Sequence, residues 1–220
     1  MPANARTAPA PRAAASDTPA PHARAPLGSE PDEDLDHRSR AIGLAARWIR
    51  QGRRLDLQGL ADELGISRAT LFRQAGTRDR LLGEALWLNT YRTLQAASAR
   101  AEAEHTPGSL RSVGTGRWMN ALVSRSTALR RLIDDEPALT IKVLTDPAGL
   151  VQPRVVAFVE AVLRRDMAEG YRPVIEAGDL AYALVRLGES FLYADVLADR
   201  PPDVAVANRL QQALLEATRT

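Results

Sequence analysis

A short helical pattern that ends at a glycine places the tightest constraint on this fold. Four apolar residues from Leu57 to Leu64 recur at the three- and four-residue spacing of one helix face. Gly65 follows at once, where a left-handed residue can close a helix, and Ser67 can cap a second helix that reaches about residue 74. Because two short helices joined by such a turn form a helix-turn-helix, the pattern predicts that motif over 57–74.

The second helix of the motif presents polar side chains on its outer face. Leu71 is expected to form a small core with Leu60 and Leu64, and Ile66 in the turn should fill the gap between the two helices. Arg can bind guanine, and Gln adenine, through paired hydrogen bonds, so this composition suits the DNA major groove. An ordinary helical hairpin with a polar outer face is the alternative. The residues expected to point outward are Ser67, Arg68, Thr70, Arg73 and Gln74.

Positive charge is concentrated around this motif. Residues 36–80 carry ten arginines against five acidic residues, whereas the formal net charge of the whole chain is only +2. A surface that contacts phosphates is expected to have such a block, and a solvated charged face could share the same composition.

Helical periodicity continues through the rest of the chain, interrupted by Pro and Gly and without an alternating β-branched run. We therefore predict an all-α fold with a helix-turn-helix domain at 34–77 and a helical ligand-binding and dimerisation domain at 78–220. Residues 1–33, rich in Ala and Pro, are expected to form a disordered tail. A first helix should end near Gly52, and later helices are predicted at 78–104, 110–123, 126–135, 138–145, 153–169, 179–198 and 203–217.

Two stretches carry a resemblance to a known family. They are LADELGISRATLFRQAGTRDRLL at 60–82 and an Ile-x-x-Ala-Ala pattern that begins at Ile42. Together they resemble the tetracycline-repressor (TetR-like) family of transcriptional regulators. The resemblance implies a homodimeric repressor that binds a palindromic double-stranded DNA operator and responds to a small-molecule effector.

The same resemblance assigns roles to three residues. Thr70 and Phe72 take positions that contact the DNA backbone or bases, and Arg78 takes a position that touches phosphate. Phe72 also departs from the family pattern, because a Tyr is usual there and its hydroxyl contact is lost. Ala75 stands where a Phe is usual, so a neighbouring side chain must fill that part of the core.

The C-terminal half is similar to the QsdR subfamily of these regulators. Arg186–Asp195 and Ala128–Pro137 carry this similarity, which implies a small apolar or lactone-like ligand.

The predicted helix 179–198 has an apolar stripe and a second stripe of aromatic and charged residues. If Glu189 is buried it needs a partner, which could be Arg186, a Tyr hydroxyl or a ligand. Aromatic residues on helices often lie in the core, which is the alternative to a place in the pocket. The candidate pocket residues are Trp87, Tyr91, Trp118, Met119, Phe158, Tyr182, Arg186, Glu189 and Tyr193.

Dimerisation is expected to use the last two helices. Two such helices from each subunit would form a four-helix bundle. We expect Leu184, Leu187 and Leu214 at its seam, although the same residues could instead lie in the core of one subunit.

Other chemistry finds no support in the sequence. The chain has no cysteine, and His22, His37 and His105 lack metal-ligand spacing. No secretory signal or membrane span is recognisable, so a cytoplasmic protein without cofactor, metal or catalytic residues is expected. The rival interpretations are a helical enzyme or carrier with a non-DNA-binding N-terminal bundle, and an adaptor that binds proteins.

Overall fold

The computed structural model describes residues 31–217, which form an all-α fold without a β-strand in that range. No helix of the described part is long and apolar enough to cross a lipid bilayer. The helices are α1 (Pro31–Arg50), α2 (Leu57–Leu64), α3 (Arg68–Ala75), α4 (Arg78–Ala103), α5 (Arg111–Ser124), α6 (Thr127–Asp135), α7 (Pro137–Thr145), α8 (Gln152–Ala168), α9 (Ala177–Leu192), α10 (Ala194–Ala198) and α11 (Val204–Glu216).

Two helix boundaries differ from the predicted ones. Helix α1 begins at Pro31, so residues 31–33 are helical rather than part of the tail, and the rest of the predicted tail lies outside the described residues. The predicted helix 179–198 is broken between α9 and α10, because Tyr193 leaves helical geometry with φ −114° and ψ 24°. Tyr193 and Ala194 are both buried, so the apolar pattern runs through the break and conceals it.

The predicted helix-turn-helix is present in α2 and α3. Gly65 adopts φ 70°, a conformation that costs little without a side chain, and its N–H bonds the carbonyls of Ala61 and Asp62. The Ser67 hydroxyl accepts the Thr70 N–H and caps α3. The all-α fold with this motif at its start is confirmed.

Buried apolar residues form two clusters. The first, here the N-terminal core, joins α1, α2 and α3 to the beginning of α4 and to α6 and α7. The second, the C-terminal core, contains Leu163, Tyr171, Leu180, Ala181, Leu184 and Leu215. Since the first cluster crosses position 78, the helix-turn-helix and the following helices share one core.

Helices α4 and α5 approach each other closely. A β-carbon added to Gly114 would lie 2.9 Å from the β-carbon of Ala101, closer than real side chains come. Helix α5 has no cap of its own, because Leu110 occupies the cap position. The Asp166 carboxylate on α8 supplies it by accepting the backbone N–H groups of Arg111 and Ser112, at 3.0 and 2.9 Å.

A carboxylate at the α6–α7 junction ties the helix-turn-helix bundle to the rest of the chain. Arg78 donates to both Glu136 oxygens, one at 2.9 Å, while its Nε donates to the Leu55 carbonyl at 3.1 Å. Arg54 lies 3.5 Å from the same carboxylate. The hydrogen bond from Arg78 holds the pKa of the Glu136 carboxyl below its usual range, against the opposing effect of burial.

The close approach of α4 and α5 predicts opposite effects for two glycines. Gly114→Ala should lower the free energy of unfolding by about 1–3 kcal/mol, because the β-carbon meets Ala101 and the helices must separate. Gly43→Ala in α1 is the control, since its β-carbon meets nothing within 4 Å. It should stabilise by about 0.5–1 kcal/mol through helix propensity. Urea denaturation measures both, and a stabilising Gly114→Ala would contradict this packing.

The lowered pKa of Glu136 predicts acid sensitivity. A depressed carboxyl pKa stabilises the folded state above the ordinary value of about 4.3, and this contribution is lost as the pH falls through the folded value. Wild-type protein should therefore lose more stability than Glu136→Gln between about pH 5 and 3. Asp135→Asn, which removes an exposed neighbouring charge, should follow the wild type in the same denaturation series. Equal slopes for all three proteins would exclude a stabilising role for the Glu136 carboxylate.

Candidate functional site

The outer face of α3 carries an exposed cationic and aromatic surface. Arg68 and Arg73 are exposed, and 58% of the Phe72 side chain is accessible. Leu71 is buried beneath them and fixes which face points outward. An exposed Phe can contact the methyl group of thymine, and both arginines can reach base edges or phosphates.

Ser67 and Thr70 are coupled to each other at the start of α3. Their hydroxyl oxygens lie 2.9 Å apart, and the Thr70 N–H donates to Ser67 at 3.0 Å. Ser67 is exposed and Thr70 is half-buried, so the capping pair lies at the edge of the outer face.

Two predicted DNA contacts are placed differently by the structure. Gln74 was expected to point outward, yet it is half-buried and its Nε2 lies 3.4 Å from His37 Nδ1 on α1. Gln74 lies three residues after the buried Leu71 on α3, so its side chain lies near the inner face of the helix. Arg78 was expected to touch phosphate, but its guanidinium is engaged by Glu136 and the Leu55 carbonyl. Arg78 therefore acts at the domain junction in this structure.

A cavity of about 630 Å³ lies between the N-terminal and C-terminal cores. Its volume falls within the range of small-molecule sites. One face of α4 forms a wall, and residues of α1, α5, α6, α8, α9 and α11 close it. The α4 residues that line it at helical spacing are Leu86, Asn89, Thr90, Thr93 and Leu94.

Two buried hydroxyls on the cavity wall have no hydrogen-bond partner among the described residues. They belong to Ser112 and Thr115, one turn apart on α5. An unsatisfied buried hydroxyl costs about 1–3 kcal/mol of folding free energy. A ligand that accepts or donates a hydrogen bond there would recover part of this cost on binding.

A group of amides forms another polar part of the wall. Asn120 Nδ2 donates to Asn208 and Gln211 at 2.8 Å each, and Gln211 Nε2 donates to the Leu184 carbonyl at 2.8 Å. Gly188 makes room for this group, since a β-carbon there would lie 3.1 Å from Gln211 Nε2. These contacts connect α5, α9 and α11 across the cavity.

Glu189 lies on the cavity wall and is paired within the protein. It accepts Gln152 Nε2 at 2.9 and 3.1 Å and Arg186 Nη1 at 2.8 Å. Burial raises the pKa of its carboxyl, and these partners oppose the rise. Burial also raises the pKa of the neighbouring Tyr193 hydroxyl, with Glu189 as the second cause. Of the partners considered for Glu189, the structure provides Arg186.

Of the nine predicted pocket residues, Met119, Glu189 and Tyr193 line this cavity. Trp87, Tyr91 and Phe158 do not line it. Their rings contact one another in a row along α4 and α8, tilted for Trp87 and Tyr91 and edge-to-face for Tyr91 and Phe158, with centroids 5.5 and 6.3 Å apart. Positions 87 and 91 lie outside the α4 face that lines the cavity. Tyr91 and Phe158 instead line a shallow outer groove.

The other three predicted pocket residues face away from the cavity. Trp118 donates to Glu104 at 3.1 Å and lies near the Arg100 guanidinium. Tyr182 is 48% exposed, and Arg186 is an exposed residue that reaches back to Glu189. Aromatic residues were therefore a poor guide to the cavity, because of the six predicted only Tyr193 lines it and most of the others cover outer helix surfaces.

The predicted dimer seam is partly contradicted. Leu184 is buried in the C-terminal core and lines the cavity, so it cannot face a second subunit. Leu214 packs partly buried against the same core. Leu187 is half-buried on α9.

Sequence reasoning missed the polar cavity residues. Ser112, Thr115 and Asn120 recur on one face of α5, a pattern that usually marks a solvated helix surface. Their burial follows from contacts with residues distant in the chain, namely Asp166, the Ala101 side chain beside Gly114, and the α11 amides. The recurrence of these polar residues along α5 was the only sequence signal for a polar cavity wall.

Comparison with known proteins agrees with this architecture. Residues 107–216 match a family model described as the Tetracyclin repressor-like C-terminal domain. No curated protein sequence matches the chain. The transcriptional repressor QsdR of R. erythropolis, from the TetR family, is 32% identical with a TM-score of 0.74, over 85% of this chain and 97% of that chain. A TetR transcription regulator from Haloarcula marismortui ATCC 43049 is 17% identical with a TM-score of 0.49, over 84% and 98% of the two chains.

The first of these relatives is similar in both sequence and fold to most of the present chain. The helix-turn-helix in α2 and α3 precedes a C-terminal domain that matches the family model. The chain therefore belongs to the TetR family of DNA-binding transcriptional regulators.

Proposed function

We propose that the protein is a homodimeric repressor whose binding to a palindromic operator is modulated by a small molecule in the cavity. One observation carries this proposal. Helix α4 is packed into the helix-turn-helix bundle through Leu81, Leu82 and Ala85, and its next turns form a wall of the cavity. A molecule that displaces this wall acts directly on the bundle that carries α3.

The exposed face of α3 supports the DNA-binding role. Arg68, Phe72 and Arg73 project from a short helix whose start is capped by Ser67 and whose inner face is buried. No ion pair of Arg68 or Arg73 occurs within the described part of the chain. Both guanidinium groups are therefore available for bases or phosphates.

The cavity supports the effector role. Apolar side chains dominate its lining, while the unpartnered hydroxyls of Ser112 and Thr115 offer hydrogen bonds at one end. A small, largely apolar molecule with a polar group satisfies both properties. The R. erythropolis relative is described as a transcriptional repressor, which supports repression here.

Exposed apolar residues support dimerisation through the last helices. Tyr182 on α9, Leu197 on α10 and Leu210 on α11 are each about half exposed. Large apolar side chains are costly to leave in water, and a second copy of this layer would cover them in a four-helix bundle. We therefore expect Leu210, rather than Leu184, to lie at the dimer interface.

Operator binding should depend on Arg73. Arg73→Ala should weaken binding to DNA from upstream of the protein's own gene by about 1–3 kcal/mol, because a base or phosphate contact is lost. Arg164→Ala on α8 removes the same charge from a distant exposed site and should bind like the wild type. Gel-shift titrations of all three proteins measure the difference. Equal affinities of Arg73→Ala and wild type would place the DNA surface elsewhere.

Dimerisation should depend on Leu210 rather than on the core. Leu210→Arg should give a folded monomer with weakened operator binding, since one subunit reads only half of the site. Leu214→Arg should instead lower the melting temperature, because Leu214 packs on the C-terminal core. Sedimentation and circular dichroism distinguish the two effects. A dimeric Leu210→Arg protein would contradict an interface at this position.

A further inference from the structure

Three arginines at the opening of the cavity lack a carboxylate partner. Arg50 ends α1, Arg92 lies on α4, and Arg125 follows α5. All three line the cavity and are exposed, so they surround its opening to solvent. None of them forms an ion pair within residues 37–217.

The remaining charges of the lining are balanced. Arg117 is paired with Glu104, and Glu189 is held by Arg186 and Gln152. These two residues and the three arginines are the only charged members of the lining within the described chain. The opening therefore carries an excess of positive charge.

Helix packing brings the three arginines to the same end of the cavity. Arg50 Nη1 donates to Asn89 Oδ1 on α4 at 2.7 Å. Helices α4 and α5 run antiparallel, with Ala101 against Gly114. Arg92, nine residues before Ala101, therefore lies level with the end of α5, where Arg125 follows.

Arg50 and Arg92 repel each other electrostatically. The pKa of the Arg50 guanidinium is lowered first by burial and then by the charges of Arg92 and Arg47. Several other arginines of the described chain face a carboxylate, as Arg78 faces Glu136 and Arg130 faces Asp134. Like charges without a counterion weaken the folded state, so this cluster is not explained by stability.

The cluster lies away from the candidate DNA-binding surface. Gln74 of α3 contacts His37 near the start of α1, whereas Arg50 is thirteen residues further along the same helix. At 1.5 Å per residue, this separation is about 20 Å. DNA bound by α3 is therefore not the natural counterion of these arginines.

We propose that the effector is an amphipathic anion, whose carboxylate or phosphate group binds Arg50, Arg92 and Arg125 while its apolar chain fills the cavity. This inference rests on the proposed effector role of the cavity. Arginine suits both anionic groups because its planar guanidinium can form paired hydrogen bonds with either. Since Arg50 belongs to α1, the bound anion joins the helix-turn-helix bundle to the α4–α5 wall.

Calorimetric titration of the full-length protein with three probes tests the proposal. Sodium decanoate and sodium decyl phosphate carry the two anionic groups, and decanol has a similar chain without charge. At least one anion should bind about tenfold to a hundredfold more tightly than decanol, as expected for charge-assisted hydrogen bonds. The tighter anion identifies the head group.

Two variants locate the head group. Arg92→Gln should lose about tenfold in affinity for the preferred anion and should not change the affinity for decanol. Arg164→Gln on α8 is the matched control and should bind all probes like the wild type. Without ligand, Arg92→Gln should melt at the wild-type temperature or above it, because a like-charge repulsion is removed. This measurement excludes unfolding as the cause of lost binding.

The possible failures are distinguishable. Equal affinities for decanol and both anions, or an unchanged Arg92→Gln, would overturn the anion site and leave the cavity as an apolar effector site. Absence of binding by all three probes would also overturn the proposed anion. If an anion binds through Arg92 and operator binding in gel shifts does not change, the anion site stands and the effector role fails.

Discussion

The position of α4 is the constraint on which the rest of the structure depends. Leu81, Leu82 and Ala85 bury its first turns in the N-terminal core, and Leu94 and Ala97 bury its later turns against α5. Asn89 lies between these regions and donates to the Ala46 carbonyl on α1 at 3.0 Å. Because protein interiors are close-packed, α4 cannot shift in one region without disturbing the other. Glu136 secures the same junction through Arg78 and Arg54.

The cavity is possible because the apolar residues do not merge into one core. The N-terminal core is completed by the early part of α4, and the C-terminal core is completed by α8, α9 and α11. The space between them keeps buried polar groups that a continuous core would exclude, such as the hydroxyls of Ser112 and Thr115. Under the proposed effector role, stability and ligand binding belong to different parts of one small chain.

Local sequence patterns predicted the helices and the helix-turn-helix well, because Gly65 and Ser67 act on their immediate neighbours. They failed where a residue depends on distant partners. Arg78 was predicted to contact phosphate, but in the structure it binds Glu136, which is 58 residues away in the chain. The aromatic residues of α4 looked like pocket walls, but only the packing of α5 and α8 decides which α4 face is enclosed. The break at Tyr193 was hidden because buried residues continue on both sides of it.

The cap of α5 has a consequence for how binding preference can diverge among related proteins. A helix usually needs a Ser, Thr, Asp or Asn at its own start, but here Asp166 on α8 provides the acceptor. Because Asp166 accepts backbone N–H groups, this cap does not depend on which side chains α5 carries in its first turns. If the cavity holds the effector as proposed, substitutions at Ser112 or Thr115 can alter ligand choice while the helix still begins at the same residue. Under that proposal, mutational drift can change which molecule is recognised and still preserve the scaffold that responds to it.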